Sequence, residues 1–436
     1  MGVLRDLPVE VWRQILASLV RSPGVLLSDR EHPFSEVRDI IIFLNKDVNT
    51  QSALRLVCRD WNEVVTELSY EHLRLTSMEQ VTAAADRLEE SCKRSRKNAL
   101  GTCTLRIDLG LHNPTDQCSK ALVRILRCTP NLEILVNGNY YVAVNSNVQL
   151  TLPPQAQTPT EIIDVLVKTC SRSLRRLEWT SNEYPSWTDL MRVLRTATGI
   201  RSLTLTNIYG SLTERPSYQR LILPNLKTLV LGDSSSFSHA SLGNVPLNAL
   251  LTMLAKSPEQ LPSLERLEGF SPFSPDFLRT HGSKLRIVRT VAFTPLIHEI
   301  IAACPNLDTF ITIFPHHILD LLSHPSLKRI GIFPISEDPV GVPPAIFSAY
   351  IMKPLEDLLT QIDESNLPKL EQIRIRNVGT LANITEHLAF LQKWWNRWHL
   401  RGVRFDDKDG QPFHLSSQGA DFLFLFLFTH QAKTLY

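Results

Sequence analysis

The sequence predicts an α/β chain: a short helical module at the N-terminus, then a curved solenoid whose parallel strands line its concave face. Three observations carry that expectation. Two apolar stripes at helical spacing lie in the first seventy residues, a strand-like phrase recurs nine times beyond residue 98, and a helical segment precedes six of those phrases. At 436 residues the chain exceeds one compact core, which favours several domains or an array of repeats. Hydrophobic residues make up 43% and charged residues 21%, the proportions of a globular chain rather than a disordered or fibrous one.

The helical module comes first. Pro8 suits the first helical position, where a missing N–H costs nothing, and Glu10 puts negative charge in the first turn. Val11, Ile15, Leu16 and Leu19 then follow the spacing of one helical face. A second stripe runs through Leu54, Val57, Cys58, Trp61, Val64, Val65 and Leu68 in steps of three and four. Both helices must bury a face.

LPVEVWRQILASL followed by LRLVCRDWNEVV resembles the F-box, a helical module that opens with Leu-Pro-x-Glu and later shows Leu-Val-Cys-x-x-Trp. The resemblance covers residues 1–75 and includes an insertion over about 21–50. It implies that Leu7, Pro8, Ile15, Leu16, Leu54, Val57, Cys58 and Trp61 form the core and the surface that meets a Skp-family adaptor, and through it a cullin. Trp61 is expected largely buried against the helix carrying Ile15 and Leu16, with Leu7 and Pro8 partly exposed at the helix start. Within the insertion, SPGVLLSDREHPFSEV has the Pro, Gly, Ser and charge of a surface loop, and VRDIIIFLNKDV reads as an extra helix or strand.

Residues 76–98 read as a basic linker or helix, with KRSRK at 93–97 as a solvated face, and residues 99–436 as the solenoid. There the phrase Leu-x-x-Leu-x-Leu recurs. It begins at Leu132, Leu174, Ile200, Leu226, Leu264, Leu285, Leu307, Leu327 and Leu370, in steps of 42, 26, 26, 38, 21, 22, 20 and 43. Most steps fall in or near the range of leucine-rich repeats. The helical segments SKALVRILRCTP, EIIDVLVKTC, DLMRVLRTAT, LNALLTMLAK, PLIHEIIAAC and HHILDLLSH precede phrases, so each repeat is a helix and then a strand. The region resembles the irregular leucine-rich repeats that often follow F-boxes, although no Asn or Cys recurs at the usual turn position after the strand. A doubly wound sheet also alternates strands and helices, but its strands do not share one phrase, and no Gly-rich phosphate turn follows any strand here.

Alternation along the strands divides inward from outward side chains. It sends Arg176 and Glu178 outward from one phrase, Arg266 and Glu268 from another, and Arg329, Arg374 and Arg376 from the late ones. These seven form the expected target-binding face, mixed in charge in the middle repeats and positive in the late ones, which suits an acidic or phosphorylated partner.

Catalytic chemistry is not indicated. GxSxG, GxxxxGK[ST], HExxH and GxGxxG are all absent, so no enzyme activity, cofactor or metal is expected. His316 and His317 read as surface residues, DDKDG at 406–410 as a turn, and Trp394, Trp395 and Trp398 mostly as core. With 46 basic against 44 acidic residues, no net field invites nucleic acid or a membrane surface. The seven cysteines have neither CxxC nor zinc-finger spacing, as in a reduced compartment. MGVLRDLPVE lacks a signal-length apolar run, and IIIFL at 40–44 and FLFLFLF at 422–428 fall short of a membrane span; a cytoplasmic and/or nuclear location is expected. The resulting expectation is the substrate-recognition adaptor of an SCF-type ubiquitin ligase, holding a protein target on its repeats. The alternative is a non-catalytic repeat scaffold whose F-box-like start only caps the solenoid's apolar end.

Overall fold

The computed structural model describes residues 8–21, 24–29, 34, 48–95, 99–111, 115–138, 156–180, 183–210, 221–232, 245–269, 274–290, 294–313, 323–333, 352–375, 388–407 and 410–412. The chain divides into two compact units, Met1–Arg286 and Ile287–Tyr436.

Unit one opens with helices α1 (Val9–Val20), α2 (Val48–Arg55) and α3 (Arg59–Glu71). Pro8 sits one residue before α1, where its carbonyl accepts from the N–H groups of Val11 and Trp12 at 3.0 and 3.2 Å. The apolar stripes meet in part: Leu16, Ala17 and Val20 of α1 pack with Val65 and Leu68 of α3, and Leu54, Trp61 and Val64 lean on that cluster, whereas the second stripe, read as one helix, breaks between α2 and α3 and leaves Val57 and Cys58 exposed there. Two ion pairs tie α1 to α3. Arg13 reaches Glu67 at 2.7 Å, and Arg21 forms a fork on the buried Glu71 at 2.6 and 2.7 Å.

From Glu71 the chain enters a strand without a linker, so the parallel sheet begins at His72, ahead of the start at 99 expected from the phrases. Strands β1 (His72–Leu75), β2 (Arg106–Leu109), β3 (Ile134–Gly138), β5 (Arg176–Thr180), β7 (Ser202–Leu205), β8 (Thr228–Leu231) and β9 (Arg266–Gly269) pair in that order, all parallel. A separate two-residue ladder joins β4 (Ala156–Gln157) to β6 (Glu183–Tyr184). Residues 78–94 form helix α4, capped by the Ser77 hydroxyl and buried along Val81, Ala85 and Leu88. It packs on α5 (Asp116–Cys128), which packs on α6 (Thr160–Cys170), which packs on α7 (Trp187–Thr196); α8 (Val245–Leu254) and α9 (Pro275–His281) follow. Right-handed crossovers between parallel neighbours place linking helices on one side of a sheet. The row Ile107, Leu135, Leu177, Leu203, Leu229 and Leu267 lies in register and is fully buried.

Unit two repeats the plan with β10 (Ile287–Thr290), β11 (Thr309–Ile313), β12 (Arg329–Phe333), β13 (Gln372–Ile375) and β14 (Arg404–Asp406), again parallel and in chain order. Its helices are α10 (Thr294–Ala303), α11 (Lys353–Glu364) and α12 (Leu388–Leu400). On α12, Trp394 and Trp398 stack and are buried, whereas Trp395 is half-buried against His399.

All nine phrases fall on strands. In each, the opening Leu or Ile is buried. It usually closes a tight turn: the Leu132 N–H donates to Thr129 O, Leu264 to Leu261 O and Leu307 to Cys304 O. The next two N–H groups then share one carbonyl of the preceding repeat. Arg175 and Arg176 both donate to Glu133 O, Arg201 and Ser202 to Arg175 O, and Glu371 and Gln372 to Lys328 O. In place of an Asn or Cys after the strand, polar side chains before it join the turns. Asn131 donates to Thr102 O, Asn225 to Thr198 O, Ser263 to Pro224 O and Ser326 to Pro305 O.

Candidate functional site

Two surfaces concern function, and both lie in unit one. The first is on the helical module. Of the residues expected to meet a Skp-family protein, Leu16 is fully buried and belongs to the core, while Leu54 and Trp61 are half-buried. Trp61 is less buried than expected: it packs against the cluster around Leu16 from outside and meets Trp12 at 5.3 Å with the two ring planes tilted by 52°. Pro8 and Cys58 are exposed, as are Ile15 at 39% and Val57 at 58%. The sequence reading missed Leu19 and Leu56 as exposed apolar residues, at 49% and 87%. The spacing puts Leu19 on the buried stripe, but it stays exposed while its neighbours Leu16, Ala17 and Val20 enter the cluster with α3. Leu7 lies outside the described residues.

The second surface is the face of the sheet opposite the leucine row. Alternate residues put Arg106 and Asp108, Arg176 and Glu178, Ser202 and Thr204, and Arg266 and Glu268 there in two registered rows. The expectation that Arg176, Glu178, Arg266 and Glu268 are outward and free for a target is overturned: none is more than 2% exposed. Each arginine instead pairs with the acid two residues on, Arg106 with Asp108 at 2.7 Å, Arg176 with Glu178 at 2.5 Å and Arg266 with Glu268 at 2.5 Å. Residues i and i+2 share a strand face, so pairing within the strand neutralises charges that would otherwise be costly to bury. His72 Nε2 adds a contact to Asp108 Oδ2 at 2.9 Å. Burial pushes the Asp108 pKa upward, but Arg106 and His72 outweigh it and hold this carboxyl well below the ordinary aspartate range.

Part of the cover comes from the insertion. Its segment Gly24–Asp29 starts with a turn in which the Leu27 N–H donates to Gly24 O, with Gly24 at φ +75°. The segment then crosses the strands: the Arg106 guanidinium donates to Val25 O at 2.6 Å and that of Arg176 to Leu27 O at 3.3 Å. Asp29 faces Arg201 at 3.6 Å and Lys227 at 3.9 Å, the residues just before β7 and β8. Val25 and Phe34 are buried. The segment Gly24–Asp29 of this insertion, read as a surface loop, is a strap across the strands.

The late arginines are corrected in part. Arg329 and Arg374 share one face by register, but only Arg329 is half-exposed. Arg374 is buried beneath the turn that follows β14, its Nε donating to Asp407 O at 3.1 Å. That turn is the one expected at DDKDG: the Gly410 N–H donates to Asp407 O, and Gly410 has φ +76°. Its closeness to the Arg374 guanidinium, 3.1 Å from a β-carbon built at Gly410, fits a glycine there. Arg376, His316, His317, the IIIFL run and the FLFLFLF run lie outside the described residues.

All seven cysteines are free. Burial pushes the Cys170 and Cys304 thiols up to about 12, so these two are inert packing groups rather than nucleophiles. Among the described residues no cluster of His, Cys, Asp and Glu could hold a metal ion, and no helix is long and apolar enough to cross a membrane.

No protein-family model matches the chain, and no curated protein matches it. Among solved structures, a chain from the crystal structure of a TLR13–ssRNA13 complex is similar at 12% identity and a TM-score of 0.30, over 70% of this chain and 42% of that chain. This chain therefore spans less than half of that neighbour's length, and a likeness so remote bears on neither partner nor activity.

Proposed function

We propose that the chain is a non-catalytic adaptor that docks a Skp-family protein through its N-terminal helices and presents a protein target on its strand–helix repeats. One observation carries the docking half. Ile15 and Leu19, one turn apart on α1, and Leu56 and Val57, adjacent in the turn between α2 and α3, leave four large apolar side chains in water on a module of three short helices, more than singly scattered surface residues account for. The module's resemblance to the F-box supplies the partner's identity. On this reading Pro8, Ile15, Val57 and Cys58 meet the partner, Leu16 supports them from within, and Leu54 and Trp61 lie between the two roles. Ubiquitin transfer would depend on proximity, the adaptor raising the local concentration of target lysines.

The test is capture of purified Skp-family protein by the full chain. Ile15→Ser with Val57→Ser should lower affinity at least tenfold with an unchanged circular dichroism spectrum. Undiminished capture by a folded double variant sinks the docking surface.

The second reading, a scaffold whose helices only cap the sheet, is favoured by the direct passage of α3 into edge strand β1 and by the Arg21–Glu71 fork. Under it, the same double variant captures no less than the parent, because neither chain captures anything.

A further inference from the structure

We propose that the strap Gly24–Asp29 sits as an internal stand-in for the target, and that the face beneath it takes an acidic peptide segment of a partner protein. The inference rests on the reading of the repeats as the target-holding part. The strap runs across the strands, not along them: Val25 lies over β2, Leu27 over β5, and Asp29 beside the entries to β7 and β8. Adjacent strands are about 4.8 Å apart and each residue spans at most about 3.6 Å. Five residues therefore cover four pairing steps only with the arginine side chains reaching toward them. A peptide from another chain would make the same contacts, since both bonds from Arg106 and Arg176 go to backbone carbonyls.

The fit of the strap is incomplete in a way that indicates its replacement. Asp29 stands off its two cations at 3.6 and 3.9 Å, and its Oδ1 is buried without a hydrogen-bond partner. Arg201 and Lys227 are nearly half exposed, so a better-placed carboxylate can approach them. On the same face Ser202 Oγ and Thr204 Oγ1 are likewise buried with no partner. Buried polar groups are nearly always satisfied. One unmet group on the strap and two on the sheet face it crosses leave bonds that the backbone and side chains of a bound segment can complete. The arginines do not need the strap for charge balance, because Asp108 and Glu178 already neutralise them.

The experiment uses the full chain and a labelled peptide of the strap's own sequence, GVLLSDREHPF. A Val25→Ser, Asp29→Ala chain, with its own strap weakened, should bind this peptide at least tenfold more tightly than the parent does. Changing the peptide's Asp to Asn, or adding Arg201→Glu and Lys227→Glu to the chain, should remove that gain. Equal binding by the parent and a folded weakened chain overturns the proposal. Should the weakened chain fail to fold, hydrogen exchange on the parent decides. Strap amides at 25–29 exchanging at least tenfold faster than those of Leu203 and Leu229 support a displaceable strap, and equal protection refutes it. Capture of Skp-family protein by the same preparations separates the two ideas: lost peptide binding with capture intact counts against the groove alone.

Discussion

At the residue scale, the most consequential side chains are those of the buried Arg–acid pairs. Arg176 and Glu178 sit together out of water, so removing one partner strands the other. Glu178→Ala should cost about 3 to 5 kcal/mol in chemical denaturation, whereas Arg176→Met with Glu178→Leu should recover most of that loss. A single variant as stable as the parent would show that water reaches Arg176. Asp108 carries a related pH dependence. Its folded pKa is depressed, so it binds a proton less readily folded than unfolded, and its stabilisation is fully present above the ordinary aspartate range and lost as pH falls from there to the depressed folded value. Asp108→Asn should flatten that part of the acid-denaturation profile. The parity of these residues was legible in the sequence, since period two assigns Arg176 and Glu178 to the face opposite Leu177. Their burial was not, because alternation says which way a side chain points and nothing about what lies over it. The cover came from residues some eighty to one hundred and fifty positions away along the chain.

At the element scale, the nine phrases succeeded because each combines a turn, a buried first Leu and a two-residue alternation, three signals that agree. Strands β1, β2 and β14 of the main ladders were missed, as were the two-residue strands β4 and β6, because HLRL, RIDL and RFD are too short to show the full Leu-x-x-Leu-x-Leu phrase that marks the nine. Leu264→Ala should cost about 2 to 5 kcal/mol, as for other buried leucines. Trp61→Ala, at a half-buried site, should cost about 2 kcal/mol, less than a fully buried tryptophan would; calorimetry on both variants checks the ranking. Strand β6 carries a pH effect of opposite sign. Burial pushes Glu183 up to about 7 from an ordinary value of 4.5. Between those values the folded chain holds a proton that the unfolded chain releases, so this group erodes stability as pH rises through the window. Glu183→Gln should therefore gain on the parent between pH 5 and pH 8 and match it below pH 4.5; a constant difference would remove Glu183 as the cause.

At the scale of the whole molecule, repeats that pair only with their neighbours should fail locally. Leu203→Ala should speed amide exchange in β5 and β8 more than in β1, and uniform acceleration across unit one would show a single cooperative block instead. The helical module was legible as two stripes that needed one another, and α1 and α3 do meet. The strap's position was not legible, since its contacts use backbone carbonyls, which any sequence supplies.

The paired N–H groups that share one carbonyl at the entries to β3, β5, β7, β8, β9, β12 and β13 carry a consequence for how such a chain changes length. The join between repeats is set by backbone groups within two residues of a buried Leu, as at Leu174, where Arg175 and Arg176 meet Glu133 O. Nothing in that join measures the distance back to the previous strand. Segments can therefore lengthen or shorten between repeats, as the phrase spacings from 20 to 43 already do, while one residue added between that Leu and its strand would turn the Arg–acid row toward the helices and the leucines toward the strap. Tolerance to insertion should alternate along the chain with the period of the repeat, wide in the connections and absent for about four residues at every strand entry.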